Sequence, residues 1–559
     1  MTIHFDEDKQ RQKVEELHEQ EEEGLAEAMS KKYALPYVDL SVSPINIDAL
    51  RIIHEADARE ADIAAFNIIN KKLSVGIISP NNEKTLSAIE NLKTRGFLPI
   101  LYMVSHQSLQ KVWGRYKDLS YSMETKGGAL DIANEEIQEL VKEVKTAADI
   151  KKSIEVVLAQ KKSYRISRIL EILLAGAISI NASDIHIEPE EKNVRLRYRL
   201  DGVLNDILDF DHATFDLLLS RVKLISNLKL NTKDVSQDGR FSIKLFDTEI
   251  EIRTSLLPGG YGESVVMRVL NPNAISVSLE DLGINERLLQ IILHELKKPN
   301  GMILNTGPTG SGKTTTLYAF LKKVHTPEVK IITIENPIEY HLSGIVQTQT
   351  EEDKGYTFLE GLRSALRQDP DIIMVGEIRD KETAEIAVNA ALTGHLVFST
   401  LHTNNAAGTY PRLIDLGVNP KVLTSAINIA MAQRLVRKLC DKCKKKSVLT
   451  ETEKALIKDT LSGIKDPKYL IDINENSAYE GVGCEVCNFT GFKGRTAIYE
   501  AILSDQKIEE IVKENPSERE ISKAAEDQNI LTMKQDGIIK VLKGITSLSE
   551  LARVIDLGE

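Results

Sequence analysis

Aromatic side chains are scarce in this chain: they fill 5% of its 559 positions, and Trp113 is the one tryptophan. Single-stranded nucleic acid is gripped on stacked rings, so a strand-binding platform is not expected. Positive charge is short too, with 71 Lys and Arg against 83 Asp and Glu and a formal net charge of −12. A protein that holds a phosphate backbone carries a basic face, so direct nucleic-acid binding is not expected. Long apolar runs are also missing. The best, residues 172–180, falls far short of the roughly 20 residues that a bilayer-crossing helix needs. The first residues are charged and acidic and have no secretory signal, which points to a cytoplasmic protein. Four cysteines in so long a chain do not make a disulfide framework. What is present is a globular mix, 42% hydrophobic and 28% charged, with room for about three to five domains.

Periodicity divides the chain. Residues 1–30 read as an acidic, solvated helix. Residues 31–117 read as a small N-terminal α/β domain. Strand-like runs at 73–78 and 97–104 flank helical spacing at 86–95, which suggests a parallel pair. Residues 118–150 are a linker, broken at Lys126, Gly127 and Gly128, and a charged helix over 134–145. Residues 151–280 form a second, α+β domain. A helix runs through 166–176, and alternating segments at 183–187, 194–199, 241–245, 249–255 and 264–270 predict a largely antiparallel sheet. Asp201-Gly202 and Asp238-Gly239 are its turn dipeptides. Over 281–430, apolar strands and helices alternate in the rhythm of a doubly wound parallel sheet. Residues 431–500 hold the cysteines, and 501–559 read as helices punctuated by Gly537 and Gly544.

An apolar strand over 301–306 leads into Gly307, Pro308, Thr309, Gly310, Ser311, Gly312, Lys313 and Thr314, a full G-x-x-x-x-G-K-[ST] loop, and a helix follows from Thr315. Glycines let backbone N–H groups curl towards phosphate oxygens, and the helix N-terminus adds its positive dipole end. Lys313 is expected to reach the β- and γ-phosphates, and the Thr314 hydroxyl to sit on Mg²⁺. A nucleotide fold also needs an acid at a neighbouring strand end. Glu377, after the apolar residues 372–375, fits that need for the Mg²⁺ shell, and Asp371 at the strand start is structural. The strand over 331–334 ends in Glu335 and Glu339, one of which can orient the attacking water. His395 and His402 flank a further short strand, seven residues apart, and a strand-end histidine can sense the γ-phosphate by hydrogen bonding.

Cys440, Cys443, Cys484 and Cys487 form two C-x-x-C pairs with 40 residues between them. Two such knuckles can set four thiolates around Zn²⁺. A redox pair and four unrelated buried thiols are the alternatives. If zinc holds the pairs, residues 446–480 are an insertion tied down by the metal. Arg434, Arg437, Lys438, Lys442, Lys444, Lys445 and Lys446 make a basic cluster around it, able to face an acidic partner or lipid headgroups, or simply to lie as a solvated face beside the thiolates.

Taken in order, the phosphate loop, TIENPIEY, DIIMVGEIRD and LTGHLVFSTLHTN resemble the secretion ATPase superfamily that powers type II secretion and type IV pilus assembly. ASDIHIEP, RLDG and QDGR upstream, and QRL and GRTAIYE downstream, extend the resemblance over about residues 165–559. It implies a RecA-like P-loop ATPase core preceded by a PAS-like α+β domain and a small α/β domain, with a zinc-binding insertion. It makes Glu339 the catalytic glutamate, Glu377 the Mg²⁺ organiser, and His395 and His402 the histidine box. It sends arginines from the preceding domain towards the phosphates, and Arg240, Arg253 and Arg268 are the candidates here. The implied protein is a homo-hexameric motor that hydrolyses ATP, lies at the cytoplasmic side of the inner membrane through its partners, and drives an inner-membrane platform protein. Two departures stand out: Glu335-Asn336-Pro337 where Glu-Asp-Pro is usual, and 233–236 without the usual extra arginine and proline. The N-terminal Arg-Leu-Gly of cyclic-dinucleotide-binding relatives is also missing. A helicase-like translocase and a non-hydrolysing nucleotide sensor are the competing readings. Low basic content opposes the first, and the joint presence of Lys313, Glu339 and Glu377 opposes the second.

Overall fold

The computed structural model describes residues 22–559 apart from 41–42, 44, 47–48, 51, 70, 119–122, 126–128, 132–133, 160–164, 246–247, 273–276, 472, 476–477 and 559. The expectations for residues 1–21 and for Lys126, Gly127 and Gly128 lie outside the described residues. The chain falls into two compact units, residues 1–123 with 157–169, and residues 124–156 with 170–559.

The first unit is built on three strands. Strands β2 (Lys72–Ile77) and β3 (Leu98–Met103) pair in parallel, as the spacing predicts, and helix α1 (Glu83–Thr94) connects them. Strand β1 (Ile63–Ile69), which the sequence reading missed, pairs antiparallel with β2. Asn82 starts α1 by accepting the Lys84 N–H, a side-chain cap of the kind that satisfies a helix's orphan donors.

The second unit holds two sheets. The first runs β4 (Met123–Thr125), β5 (Ala129–Asp131), β9 (Gln237–Leu245), β10 (Thr248–Gly259), β11 (Gly262–Leu270), β6 (Asp184–Pro189), β7 (Val194–Leu200) and β8 (Val203–Phe210). Its ladders are antiparallel from β9 to β8, and β5 joins β9 in parallel. Helix α2 (Arg165–Ser179) packs beneath the sheet: the Tyr198 hydroxyl donates to Leu173 O, 2.8 Å away. Helix α3 (His212–Ile225) follows β8. The cross-strand register sets Arg240 opposite Arg253, Arg253 opposite Arg268, Arg268 opposite Asp184, and Asp184 opposite Arg199. Directly opposed residues share a face, so these five side chains form one row across the sheet.

The second sheet has the order β14 (Val346–Gln349), β13 (Ile331–Glu335), β15 (Ile372–Val375), β16 (Leu396–Leu401), β12 (Gly301–Thr306), β17 (Ile427–Leu439) and β20 (Phe492–Leu503). The pairs from β14 to β17 are parallel, and β20 is antiparallel to β17. Every residue of β12, β13, β15 and β16 is buried, which explains why they are mainly apolar and do not alternate with exposed polar residues. Helix α4 (Lys313–Val324) covers one face with Leu317, Tyr318, Phe320 and Leu321. Helix α5 (Lys381–Leu392) belongs to the core on the other face with Ala384, Ala387 and Val388. The architecture is mixed α/β.

The expected boundaries at 430/431 and 500/501 fall inside β17 and β20, and the one at 150/151 falls inside the helix Ala147–Leu158. The cysteine region is thus an excursion between two paired strands of the core sheet. It carries the ribbon β18 (Lys444–Ser447) and β19 (Ala478–Gly481), and helix α6 (Glu451–Ser462) lies between them. Gly537 does not punctuate: it lies inside helix α7 (Met533–Leu542), where a Cβ would come within 2.5 Å of Leu551 Cδ1 on helix α8 (Leu548–Val554).

Helix α8 is tied to β17 by Glu550, whose side chain is fully buried and takes bonds from Arg437 Nε at 3.0 Å, Arg437 Nη2 at 2.6 Å and Arg553 Nη2 at 2.7 Å. Burial alone pushes this carboxyl up, and the bonds to Arg553 and Arg437 override it and hold it at about 2. A group held below its ordinary value stabilises the fold above that value, 4.5 here, and loses its contribution as pH falls towards about 2. Glu550→Gln should cost about 3–5 kcal/mol at neutral pH, the usual effect of stranding one half of a buried ion pair. Thermal unfolding at several pH values checks this: the gap to the unsubstituted protein should narrow through the acid range.

Candidate functional site

Parallel register brings the C-terminal ends of β12, β13, β15 and β16 to one edge of the core sheet. The phosphate loop leaves β12 there with Gly307, Gly310 and Gly312 at φ of 145°, 79° and 89°. A Cβ on Gly307 would lie 2.5 Å from Gln433 O, and one on Gly312 would lie 2.8 Å from Gln433 Nε2. Close approach to Gln433 therefore demands glycine at both positions. Gln433 Oε1 accepts from Asn305 Nδ2 and from Thr316 Oγ1, each at 2.8 Å, so one side chain of β17 joins the strand before the loop to the helix after it. Lys313 Nζ donates to Gly307 O at 2.8 Å and Pro308 O at 3.1 Å. Burial lowers the Lys313 pKa, and the Glu377 carboxylate opposes that shift.

A cleft of about 910 Å³ opens over the loop. Residues 308–315, Glu335, Glu339, Glu377 and His402 line it on the core side. Asp184, His186, Arg199 and Arg268 line it from the antiparallel sheet. Glu335 is buried and fully engaged: it accepts from the Tyr318 hydroxyl, the Thr333 hydroxyl and Gln347 Nε2. Its pKa is raised, mainly by burial. Glu339 is more open and meets Arg253 Nη1 at 3.6 Å, while Arg253 Nη2 donates to Ile338 O at 2.8 Å. Of the two acids left open by the sequence, Glu339 is the more exposed, with 35% of its side chain accessible. Glu377 accepts from Arg379 Nε at 2.6 Å and lies 3.3 Å from His402 Nε2.

Several expected site residues lie elsewhere. His395 precedes β16 at the opposite end of the sheet, where its ring bonds Ala390 O at 3.0 Å and its own carbonyl accepts from Gly301. A strand of six residues, about 20 Å long, separates it from His402. The two histidines flank the strand in sequence and so cannot share one phosphate within this chain. Arg253 is not among the cleft-lining residues and meets Glu339 of the acid box. Arg240 is exposed on β9 beside Arg253, outside the cleft. Of the three candidates, only Arg268 lines the cleft. Asp184, Arg199, Arg379 and Gln433 take structural positions at the site that residue type alone did not assign. All four stand in the motifs DIIMVGEIRD, ASDIHIEP, RLDG and QRL, but the partners of Asp184, Arg199 and Gln433 depend on strand pairing.

Thr314 and Glu377 line the same cleft and offer the hard oxygen donors that magnesium takes. In the excursion, Cys440 Sγ lies 3.9 Å from Cys484 Sγ, Cys443 Sγ lies 3.8 Å from Cys487 Sγ, and Cys484 Sγ lies 3.7 Å from Cys487 Sγ. These are not disulfide lengths, and all four sulfurs fall within 4.8 Å of one another. A tetrahedron with arms of about 2.3 Å has edges of about 3.8 Å, so the donor set fits zinc.

The sequence model of the family described as "Type II/IV secretion system protein" matches residues 135–553. A type II secretion system protein E of Aeromonas hydrophila is 44% identical over 70% of this chain and 75% of its own length. A type IV pilus assembly ATPase of Myxococcus xanthus is 35% identical over 95% of this chain and 91% of its own. Among solved structures, the Legionella pneumophila ATPase DotB aligns over 69% of this chain and 94% of its own, with 23% identity and a TM-score of 0.49.

Gly312→Val places a branched side chain at a left-handed φ and against Gln433. It should weaken nucleoside triphosphate binding by at least about tenfold, roughly 1.4 kcal/mol. Titration with a fluorescent triphosphate analogue measures this, and an unchanged circular dichroism spectrum shows that the fold is retained.

Proposed function

The chain belongs to the Type II/IV secretion system protein family, and from that premise we propose that it is the ATP-hydrolysing motor of a type IV pilus assembly or type II secretion machine. One observation carries this reading: the phosphate loop and the acids Glu339 and Glu377 open into a single cleft. In that cleft the backbone N–H groups of the loop and Lys313 bind the phosphates of ATP. Glu339 orients the water that attacks the γ-phosphorus, and Arg253 positions Glu339. Glu377 and Thr314 would hold a magnesium ion, which would supply charge neutralisation to the phosphates. His402, beside Glu377, is the histidine that senses the state of that end of the nucleotide. Phosphoryl transfer depends on positioning and on charge more than on covalent chemistry, and these groups serve both needs.

The core sheet is then a RecA-like nucleotide domain and the antiparallel sheet a PAS-like domain beside it. Opening and closing of the cleft between those two sheets turns hydrolysis into movement. The working assembly is a homo-hexamer at the cytoplasmic face of the inner membrane. Attachment there runs through a platform protein; among the described residues no helix is long and apolar enough to cross a membrane. That protein adds pilin-like subunits to a filament. The four cysteines hold a structural zinc, which ties the excursion from the core sheet to its base.

Lys313→Ala should abolish nucleotide binding or turnover. Glu339→Gln should bind ATP yet hydrolyse it about 100-fold more slowly, the usual scale of a lost general base. Steady-state phosphate release and nucleotide titration separate the two, and normal turnover by Glu339→Gln would remove the assignment of that residue. Elemental analysis should find about one zinc per chain, and Cys484→Ser should lose most of it.

A further inference from the structure

The row of charged residues across the antiparallel sheet contains four arginines and a single carboxylate. Asp184 stands between Arg268 on one neighbouring strand and Arg199 on the other. Its side chain is 6% exposed, and it splits its two oxygens between them. Oδ1 takes Arg268 Nε at 3.0 Å, and Oδ2 lies 3.3 Å from Arg199 Nε. Arg199 is held twice more, by Gly202 O at 3.2 Å and by His186 Nε2 at 3.5 Å. Arg268 is held only through Nε: among the described residues its two terminal nitrogens carry no hydrogen bond, and its side chain is 62% exposed. Both arginines line the cleft that holds the phosphate loop.

Like charges directly opposed across strands repel, and the register also sets Arg268 against Arg253. Without the carboxylate between them, Arg268 would lose its one hold, while Arg199 would keep Gly202 O and His186. Held by Nε, the Arg268 guanidinium keeps its N–H fork unbonded among the described residues, the geometry that grips phosphate oxygens in pairs, whereas each terminal nitrogen of Arg199 has one partner, Gly202 O or His186 Nε2.

We propose that Asp184 is a positioning residue that aims Arg199 and Arg268, as a pair, across the cleft at the terminal phosphate of ATP. The proposal rests on the ATPase reading of this cleft and adds to it a source of charge for the γ-phosphoryl group as negative charge builds on it. ADP has no phosphate at that position, so the pair distinguishes the two nucleotides.

The test uses the full-length protein and compares Asp184→Asn, Asp184→Glu, Arg199→Lys and Arg268→Lys. Lysine keeps the charge of either arginine but has no fork. Asp184→Asn should lower kcat about tenfold or more and weaken binding of a non-hydrolysable ATP analogue, with ADP affinity held within about twofold. Asp184→Glu should recover part of the loss. The double variant Asp184→Asn/Arg268→Lys should be little worse than Arg268→Lys alone, because the two changes break one unit. A purely structural role for Asp184 would weaken ADP and the analogue alike, and that result overturns the proposal. So does a kcat within twofold of the unsubstituted protein for Asp184→Asn. Should Asp184→Asn fail to fold, the exposed Arg268→Lys decides: selective loss of the ATP analogue supports the proposal, and unchanged selectivity overturns it. Lys313→Ala runs in parallel. Full turnover in that variant would sink the ATPase reading itself, whereas an inactive Lys313→Ala beside a normal Asp184→Asn sinks only the positioning role.

Discussion

Gln433 joins the strand, the loop and the helix on which phosphate binding depends. Its carboxamide oxygen accepts from Asn305 at the end of β12 and from Thr316 in the first turn of α4. Its backbone carbonyl and amide nitrogen lie where side chains on Gly307 and Gly312 would have to go. The loop is therefore pressed against β17 as well as strung between its own strand and helix. Because β17 pairs in parallel with β12, this contact forms only when the core sheet is assembled in register. A backbone cradle for phosphate costs conformational entropy to hold open, and a neighbouring strand that excludes other shapes lowers what remains to be lost on binding.

The same sheet order sorts the polar residues by depth. Glu335 is buried and surrounded by donors, so it serves the structure of the acid box. Glu339 stands farther out and meets an arginine from the antiparallel sheet. Glu377 sits between Arg379 and His402. Charge on the opposing wall comes from Arg199 and Arg268, which the antiparallel ladder sets on either side of Asp184. The two sheets both furnish the cleft: the core sheet brings the phosphate loop with Lys313 and the strand-end acids, and the antiparallel sheet adds Arg199 and Arg268.

Motif order carried the core sheet and the contents of its edge. The phosphate loop, the strand-end acids and the paired cysteine knuckles were legible because local spacing encodes them. The residues at 307–314 line or frame one cleft, and the four sulfurs lie together. Boundaries were less legible. A strand that continues through a motif looks the same as one that ends there, so β17 and β20 were cut at 430/431 and 500/501. The histidines misled for a similar reason. Two residues that flank a strand look symmetric in sequence, yet a strand has two ends, and only His402 lies at the end with the loop.

Local chemistry was written in residue order: which loop can curl around phosphate, which acids end buried strands, and which thiolates come in knuckles. These follow from residue type and short spacing, through backbone sterics and the periods of helix and strand. Only the tertiary structure decided which arginine meets which acid. Arg253 reaches Glu339, Arg240 stays outside, and Asp184 bridges Arg199 and Arg268. The reason is register. Facing partners on neighbouring strands are set by how whole strands slide against one another, and a slip of one residue would turn every one of these side chains to the other face of the sheet.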